Sequence, residues 1–240
     1  MSYLYLVRHG QAGTRDSYDS LSPLGRQQAR LLGKYLALQK IKFAAAYSGQ
    51  MQRQKETAEE VIAAYGAHEF PELKNDCRWN EFDLDRMYRE IAPQLCAADT
   101  EFRREYEAMQ ALLLANRGEH DASVHRRWLP CDSAVVTAWI GGSHRYSGET
   151  WEQFCERVTS CAARNAAAPL QDNIAVFTSA TPIAVWTGRA VEMLDGRVMK
   201  LAAVLQNASF TVVQIRNDES RLFSFNNTPH LVSPELRTFR

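Results

Sequence analysis

Arg8, His9 and Gly10 follow directly on the apolar run Leu4-Tyr5-Leu6-Val7. Two cationic or titratable side chains and a glycine at the end of a bulky, partly β-branched run are suited to an anionic ligand. Two further segments have the same grammar. One passes from an apolar run through Ser48 to Arg53, and the other ends in Ser179-Ala180-Thr181-Pro182. Two arginines aimed at one point grip a phosphoryl group, because planar guanidinium forks match phosphate oxygens. A helix N-terminus adds backbone N–H donors with favourable dipole polarity. A neutral histidine among them is a nucleophile toward phosphorus. The plainer readings are a salt-bridge cluster or solvated turn for Arg8, His9 and Arg53, and a simple helix cap for Ser179.

These residues converge only if the elements before them lie side by side. Residues 4–7 read as a central strand covered on both faces. Ser22 and Pro23 suit the N-cap and first position of a helix whose stripe is Leu24, Leu31, Tyr35 and Leu38, widened by Leu32 and Leu36. A second strand at 43–47 precedes a helix over "QRQKETAEEVIAAY", closed by Gly66. The pattern resumes with a strand at 173–179 and a helix starting near Thr181-Pro182, the proline near the first helical position. "SFTVVQI" and "RLFSF" read as an antiparallel hairpin at the sheet. Strand and helix alternating at this spacing predict a parallel sheet with right-handed crossovers, whose strand ends share one edge.

The expected fold is therefore α/β, a three-layer α/β/α sandwich with a mostly parallel sheet. Residues 1–240 are expected to form a single domain interrupted by a helical cap insertion at about 80–148. The insertion is helical over "TEFRREYEAMQALLLAN" and loop-like around "GGSHRYSG", and Thr150 with Gln153 forms a capping box for the helix after it. "CAARNAAAP" reads as a helix end. Trp79, Trp128, Trp139 and Trp151 gather around the insertion and read as aromatic core or as the lining of an apolar substrate pocket.

Lys plus Arg and Asp plus Glu both total 28, so no global charge draws the 240-residue chain toward nucleic acid or membrane. Five cysteines without a Cys-x-x-Cys pair argue against a disulfide framework and for a reducing compartment. No basic leader followed by an apolar stretch is seen, nor any run near the ~20 apolar residues of a membrane span. The expectation is a soluble cytoplasmic protein, with a homo-oligomer left open.

In order along the chain, "LVRHGQA", "LSPLGRQQA" and "YSGQMQRQKETAE" resemble the motifs of the histidine phosphatase superfamily, the phosphoglycerate-mutase-like proteins. "WNEFD" stands where that family carries an acidic residue, and "GETWEQFCERV" resembles a later family helix. The likeness covers roughly 1–66 and 149–230. It implies that His9 attacks phosphorus to form a phosphohistidine, that Arg8 and Arg53 hold the nonbridging oxygens, and that Glu81 protonates the leaving alcohol. Asp83 is the neighbouring alternative to Glu81. Gln11, Ser179, Ala180 and Thr181 are expected to touch the substrate. No metal and no cofactor is expected, since the arginines supply countercharge, and the partner is a small phosphorylated substrate. The sequence departs from the family at one place: Ser179 occupies the position of the usual second histidine. His230 and His144 are replacements by position only. The reading is a phosphomonoester phosphatase, with a mutase-type phosphotransferase or a catalytically weak phosphate-binding module as alternatives.

Overall fold

In the computed structural model, which describes residues 2–13, 19–115, 130–163, 172–216 and 219–239, the first apolar run extends into β1 (Ser2–Arg8). β2 (Ala45–Ser48), β3 (Leu73–Asn75), β4 (Asn173–Thr178), β5 (Phe210–Arg216) and β6 (Glu219–Asn227) complete one sheet, ordered β3-β2-β4-β1-β5-β6. The first three pairings are parallel and the last two antiparallel. The sheet is mostly parallel, as expected, with the hairpin added at its edge. β3 carries no alternating pattern and has no counterpart among the sequence expectations.

Alternation along β1 sorts the layers. Val7, with the partly buried Tyr3 and Tyr5, joins Ala29, Leu32 and Leu36 of α1 (Pro23–Leu38) and Ala58, Val61 and Tyr65 of α2 (Gln52–Tyr65) in one apolar cluster. Leu4, Leu6 and Arg8 therefore point to the opposite face, where α8 (Ala180–Ala190) packs on β1, β5 and β6 and α9 (Asp195–Val204) packs on α8. Ser22 caps α1 as its sequence predicts, its hydroxyl accepting the Gly25 N–H at 3.0 Å. Gly66 closes α2 at a φ of 118°.

The chain divides into two compact units, Met1–Glu81 with Glu156–Arg240, and Phe82–Cys155. The second holds α3 (Leu84–Glu90), α4 (Ala92–Ala98), α5 (Thr100–Ala115) and α6 (Pro130–Gly141). α7 (Trp151–Ala163) begins with the capping box read from its sequence, Gln153 Oε1 accepting from Thr150 N–H and Thr150 Oγ1 from Gln153 N–H. Trp139 and Trp151 pack edge to face with each other and against Phe154, and Trp79 lies against Trp186. These tryptophans are core, not pocket wall; Trp128 lies outside the described residues, as does most of "CAARNAAAP". All five cysteines are free thiols. Among the described residues no helix is long and apolar enough to cross a membrane.

The loop after β1 is pressed against the start of α1. A Cβ on Gly10 would meet the Gly25 carbonyl, and one on Gly25 would meet the carbonyl oxygen of Gln11. Gly10 is thus required by backbone meeting backbone, not by the approach of a ligand. The Leu21 N–H donates to Glu56 at 2.8 Å, fastening the far end of the same loop to α2. Gly25→Ala is expected to cost about 1–3 kcal/mol of unfolding free energy. The check is the urea midpoint, and an unchanged midpoint would show that the loop yields without strain.

Candidate active site

Parallel pairing brings three strand ends together, as Arg8 lies opposite Thr178 and Ser48 opposite Phe177. His9 leaves β1 with its backbone held on both sides. Its N–H donates to the Thr178 carbonyl at 2.9 Å, and its carbonyl accepts from Ala208 N–H and Asn207 Nδ2, each at 3.2 Å. The Gly10 N–H donates to Thr57 Oγ1 at 3.0 Å, and that hydroxyl donates to the Arg53 carbonyl one turn earlier at 2.7 Å. The arginine-to-threonine spacing in α2 thereby ties Arg53 to the loop that carries His9.

Two neighbours specify the His9 tautomer. Nδ1 faces the Gly10 carbonyl at 2.8 Å, which can only accept, so Nδ1 carries the hydrogen. Nε2 faces Arg53 Nε at 3.3 Å, which can only donate, so Nε2 presents its lone pair. The side chain is buried, with 5% of the residue exposed. Burial, then the Arg53 and Arg8 charges, hold its pKa well below the usual imidazole value, against an opposing pull from the Gly10 carbonyl. The ring is neutral at pH 7 and its lone pair is directed into the strand-end cluster.

Arg53 spends its other nitrogens on Asp19 Oδ1 (2.7 Å) and Met51 Sδ (3.2 Å). Asp19 also accepts the Gln52 N–H at 3.0 Å. A carboxylate is thus bonded to the guanidinium that the sequence reading expected to hold phosphate. Arg8 behaves differently from Arg53. Strand alternation sends its side chain toward α9, where it donates to the carbonyl of Leu205, the C-cap of that helix, and to the Phe239 carbonyl at 3.3 Å. Part of the fork expected to hold phosphate is therefore fastened to main chain.

Ser179 is the N-cap of α8 by backbone conformation, which makes Ala180 the first helical residue and Thr181 the second. Pro182 is the third and not the first, a position still compatible with a missing N–H. The Thr181 N–H donates to Glu81 Oε2 at 3.1 Å, so the expected general acid sits at the first turn of α8. Asp83, the alternative acid, is spent as the N-cap of α3, accepting the Arg86 N–H at 2.9 Å. Gln11 is buried, and its carboxamide oxygen accepts the Ser22 hydroxyl at 2.8 Å, a bond that steadies the start of α1. His230 packs against Tyr35 and Phe210 as a core histidine, and burial lowers its pKa to about 4. His144 is bonded to the neighbouring Ser143 in an exposed stretch of the second unit.

Several residues that hold the site carried little signal in the sequence. Gln28, within the quoted "GRQQA", accepts the Gln11 N–H and donates to Leu236 O and Thr238 Oγ1. Asn207 grips the His9 carbonyl from a loop with no motif. Gln54 bonds Ser179 across the site.

The tautomer is checked by long-range ¹H–¹⁵N correlation of the imidazole. His9 is expected to stay neutral with the hydrogen on Nδ1 down through pH 6, and an imidazolium signal at pH 6.5 would contradict the geometry. Because an entering anion must displace Asp19 from Arg53, Asp19→Ala is expected to tighten orthovanadate binding several-fold by calorimetry. Asp19 is exposed, which keeps the gain to this size, and weaker binding would show that Asp19 helps to hold the anion.

A model of the histidine phosphatase superfamily (branch 1) matches residues 4–138 and 133–228. Serine/threonine-protein phosphatase Pgam5, mitochondrial, of Caenorhabditis elegans is 44% identical over 59 residues, 25% of this chain and 21% of that protein. The matched stretch thus spans about a fifth of the length of that curated relative. Among solved structures, Bacillus stearothermophilus YhfR aligns with a TM-score of 0.63 at 17% identity, over 96% of this chain and 99% of its own. Phosphoglycerate mutase from Bacillus anthracis str. Sterne aligns at 0.61 and 20% identity, over 95% of this chain and 94% of its own. The two solved structures share the fold, and the family model spans both the His9 loop and the Ser179 turn: the chain belongs to the histidine phosphatase superfamily.

Proposed function

We propose that the protein is a metal-independent phosphomonoester phosphatase working through a phosphohistidine at His9. The observation that carries this reading is the buried, neutral His9 whose Nε2 lone pair faces the Arg53 guanidinium. When a phosphoryl group enters, the Arg53 N–H groups turn to its nonbridging oxygens, and Nε2 turns to phosphorus.

In the first half-reaction Nε2 forms a bond to phosphorus as the ester P–O bond breaks, and Glu81 gives a proton to the departing alkoxide. In the second, Glu81 takes a proton from water as the water oxygen bonds to phosphorus and the P–N bond breaks. Inorganic phosphate leaves and His9 is neutral again. The countercharge comes from Arg53, with Arg8 adding to the field from its place at the strand end. The Thr181 N–H holds Glu81 at the edge of this space, which supports it over Asp83 as the proton carrier.

The test is phosphate release from a panel of small phosphomonoesters with a chelator present. His9→Ala is expected to lower kcat by more than about 10³-fold. Glu81→Gln should lower it by about 10²–10⁴-fold for alkyl phosphates; with p-nitrophenyl phosphate, whose leaving group needs no proton, the first burst of nitrophenol should persist and only the later turnover, which needs the base, should slow. Transfer of phosphate to a second hydroxyl, without release, would replace the phosphatase by a mutase. Absence of both turnover and acid-labile phosphohistidine would leave a phosphate-binding module.

A further inference from the structure

Ser179 begins α8 yet does not cap it. Its hydroxyl makes no bond to the helix N–H groups, for two reasons written into the next residues. The third helical residue, Pro182, has no N–H, and the Thr181 N–H is taken by Glu81. The hydroxyl is instead met at 2.8 Å by Nε2 of Gln54, a side chain with no solvent exposure. Ser179 itself is 1% exposed.

The direction of that bond is settled by main-chain groups around Gln54. Nε2 lies 3.2 Å from the Trp79 carbonyl, which only accepts, and Oε1 lies 3.3 Å from the Met51 N–H, which only donates. The carboxamide cannot be reversed without spoiling both bonds. One Nε2 hydrogen goes to Trp79, so the other goes to Ser179, and Ser179 Oγ is the acceptor. The hydroxyl keeps its own hydrogen, and among the described residues no acceptor takes it. Consecutive residues of α2 thus reach two adjacent strand ends, Arg53 to His9 and Gln54 to Ser179.

We propose that Gln54 is a positioning residue: by donating to one of the two lone pairs of Ser179, it orients that hydroxyl as a hydrogen-bond donor to the phosphoryl oxygens of a group bound at His9. The inference rests on the reading of His9 as the phosphoryl acceptor. It assigns the neutral Ser179–Gln54 pair a part in transition-state binding, with Ser179 touching the oxygen and Gln54 acting only through Ser179. A lone serine would be free to rotate and present either its hydrogen or a lone pair to the anion. The bond from Gln54 fixes the side on which Oγ accepts and so favours the rotamer that turns the hydrogen toward the anion.

The experiment is a double-mutant cycle with two readouts, kcat for p-nitrophenyl phosphate and the Kd of orthovanadate. Ser179→Ala is expected to lower kcat about 10²-fold, the low end of what one preorganised donor supplies. Gln54→Leu should lower kcat and weaken vanadate about tenfold in the native background, and change neither more than about twofold in the Ser179→Ala background. Gln54→Met, an unbranched apolar side chain of similar length, takes its place where leucine disturbs folding; Thr178 Oγ1 still satisfies the Trp79 carbonyl at 2.6 Å. Gln54→Glu should be more damaging than either, because a carboxylate would take the Ser179 hydrogen and turn a lone pair toward the anion. Equal Gln54→Leu effects in both backgrounds would overturn the proposal and make Gln54 a packing residue. A wild-type protein with no turnover would remove the phosphatase reading, while the vanadate cycle would still decide the role of Gln54: coupled affinities uphold it, additive ones do not.

Discussion

The hydroxyl of Thr57 joins the loop that follows β1 to the first turn of α2. It accepts from Gly10 N–H, next to His9, and donates to the carbonyl of Arg53, whose guanidinium faces that histidine. Each bond contributes about 1 kcal/mol net, which is small beside the apolar cluster between α1, α2 and the sheet. Its importance is geometric. Burial of Leu32, Val61 and Phe177 decides that α2 lies on this face of the sheet, but apolar contact is non-directional. The Thr57 bridge and the paired glycines at 10 and 25 convert that loose requirement into a fixed separation between His9 and Arg53.

Charge in the cluster follows from the same placement. Arg53 and Arg8 stand beside an imidazole that burial already keeps unprotonated, so its lone pair remains available next to their positive charge. The acids stand at the margin. Asp19 is exposed and bonded to Arg53, and Glu81 is held by a helix N–H. Neutral groups supply the remaining contacts, and their orientation is dictated by main-chain donors and acceptors that cannot switch roles. That arrangement suits a ligand whose charge is large and whose binding partners must not compete for protons.

Much of this was legible in the sequence wherever a short run carried its own signal. The apolar stretch before Arg8, the Ser22-Pro23 start, the helix over 52–65 and the Thr150 capping box are local patterns, and each is realised. The convergence of Arg53 and His9 was legible because alternating strands and helices leave few topologies. What stayed hidden depends on partners far along the chain. Gln54 meets Ser179 across 125 residues, and Asn207 meets the His9 carbonyl across 198. A buried glutamine or asparagine looks, in sequence, like a surface one. The destination of Arg8 was implicit in strand alternation, but naming Leu205 and Phe239 as its acceptors needed the position of α9. α6 escaped notice because "PCDSAVVTAWIG" has no polar face to give it a stripe, and β3 because three residues are too few to show a period.

Residues 236–239 touch the site at several points. The Leu236 carbonyl and Thr238 hydroxyl take Gln28, Thr238 bonds Asn207 at both backbone and side chain, and the Phe239 carbonyl takes Arg8. These contacts reach the His9 loop through Gln28 and Gln11 on one side and Asn207 on the other. His9 and this late segment of chain are thereby joined in one hydrogen-bonded network. Detachment of these few residues, remote in sequence, would take away the Thr238 partner of Asn207 and with it a support of the His9 carbonyl, so the shape of the site depends on how the late segment of chain is held.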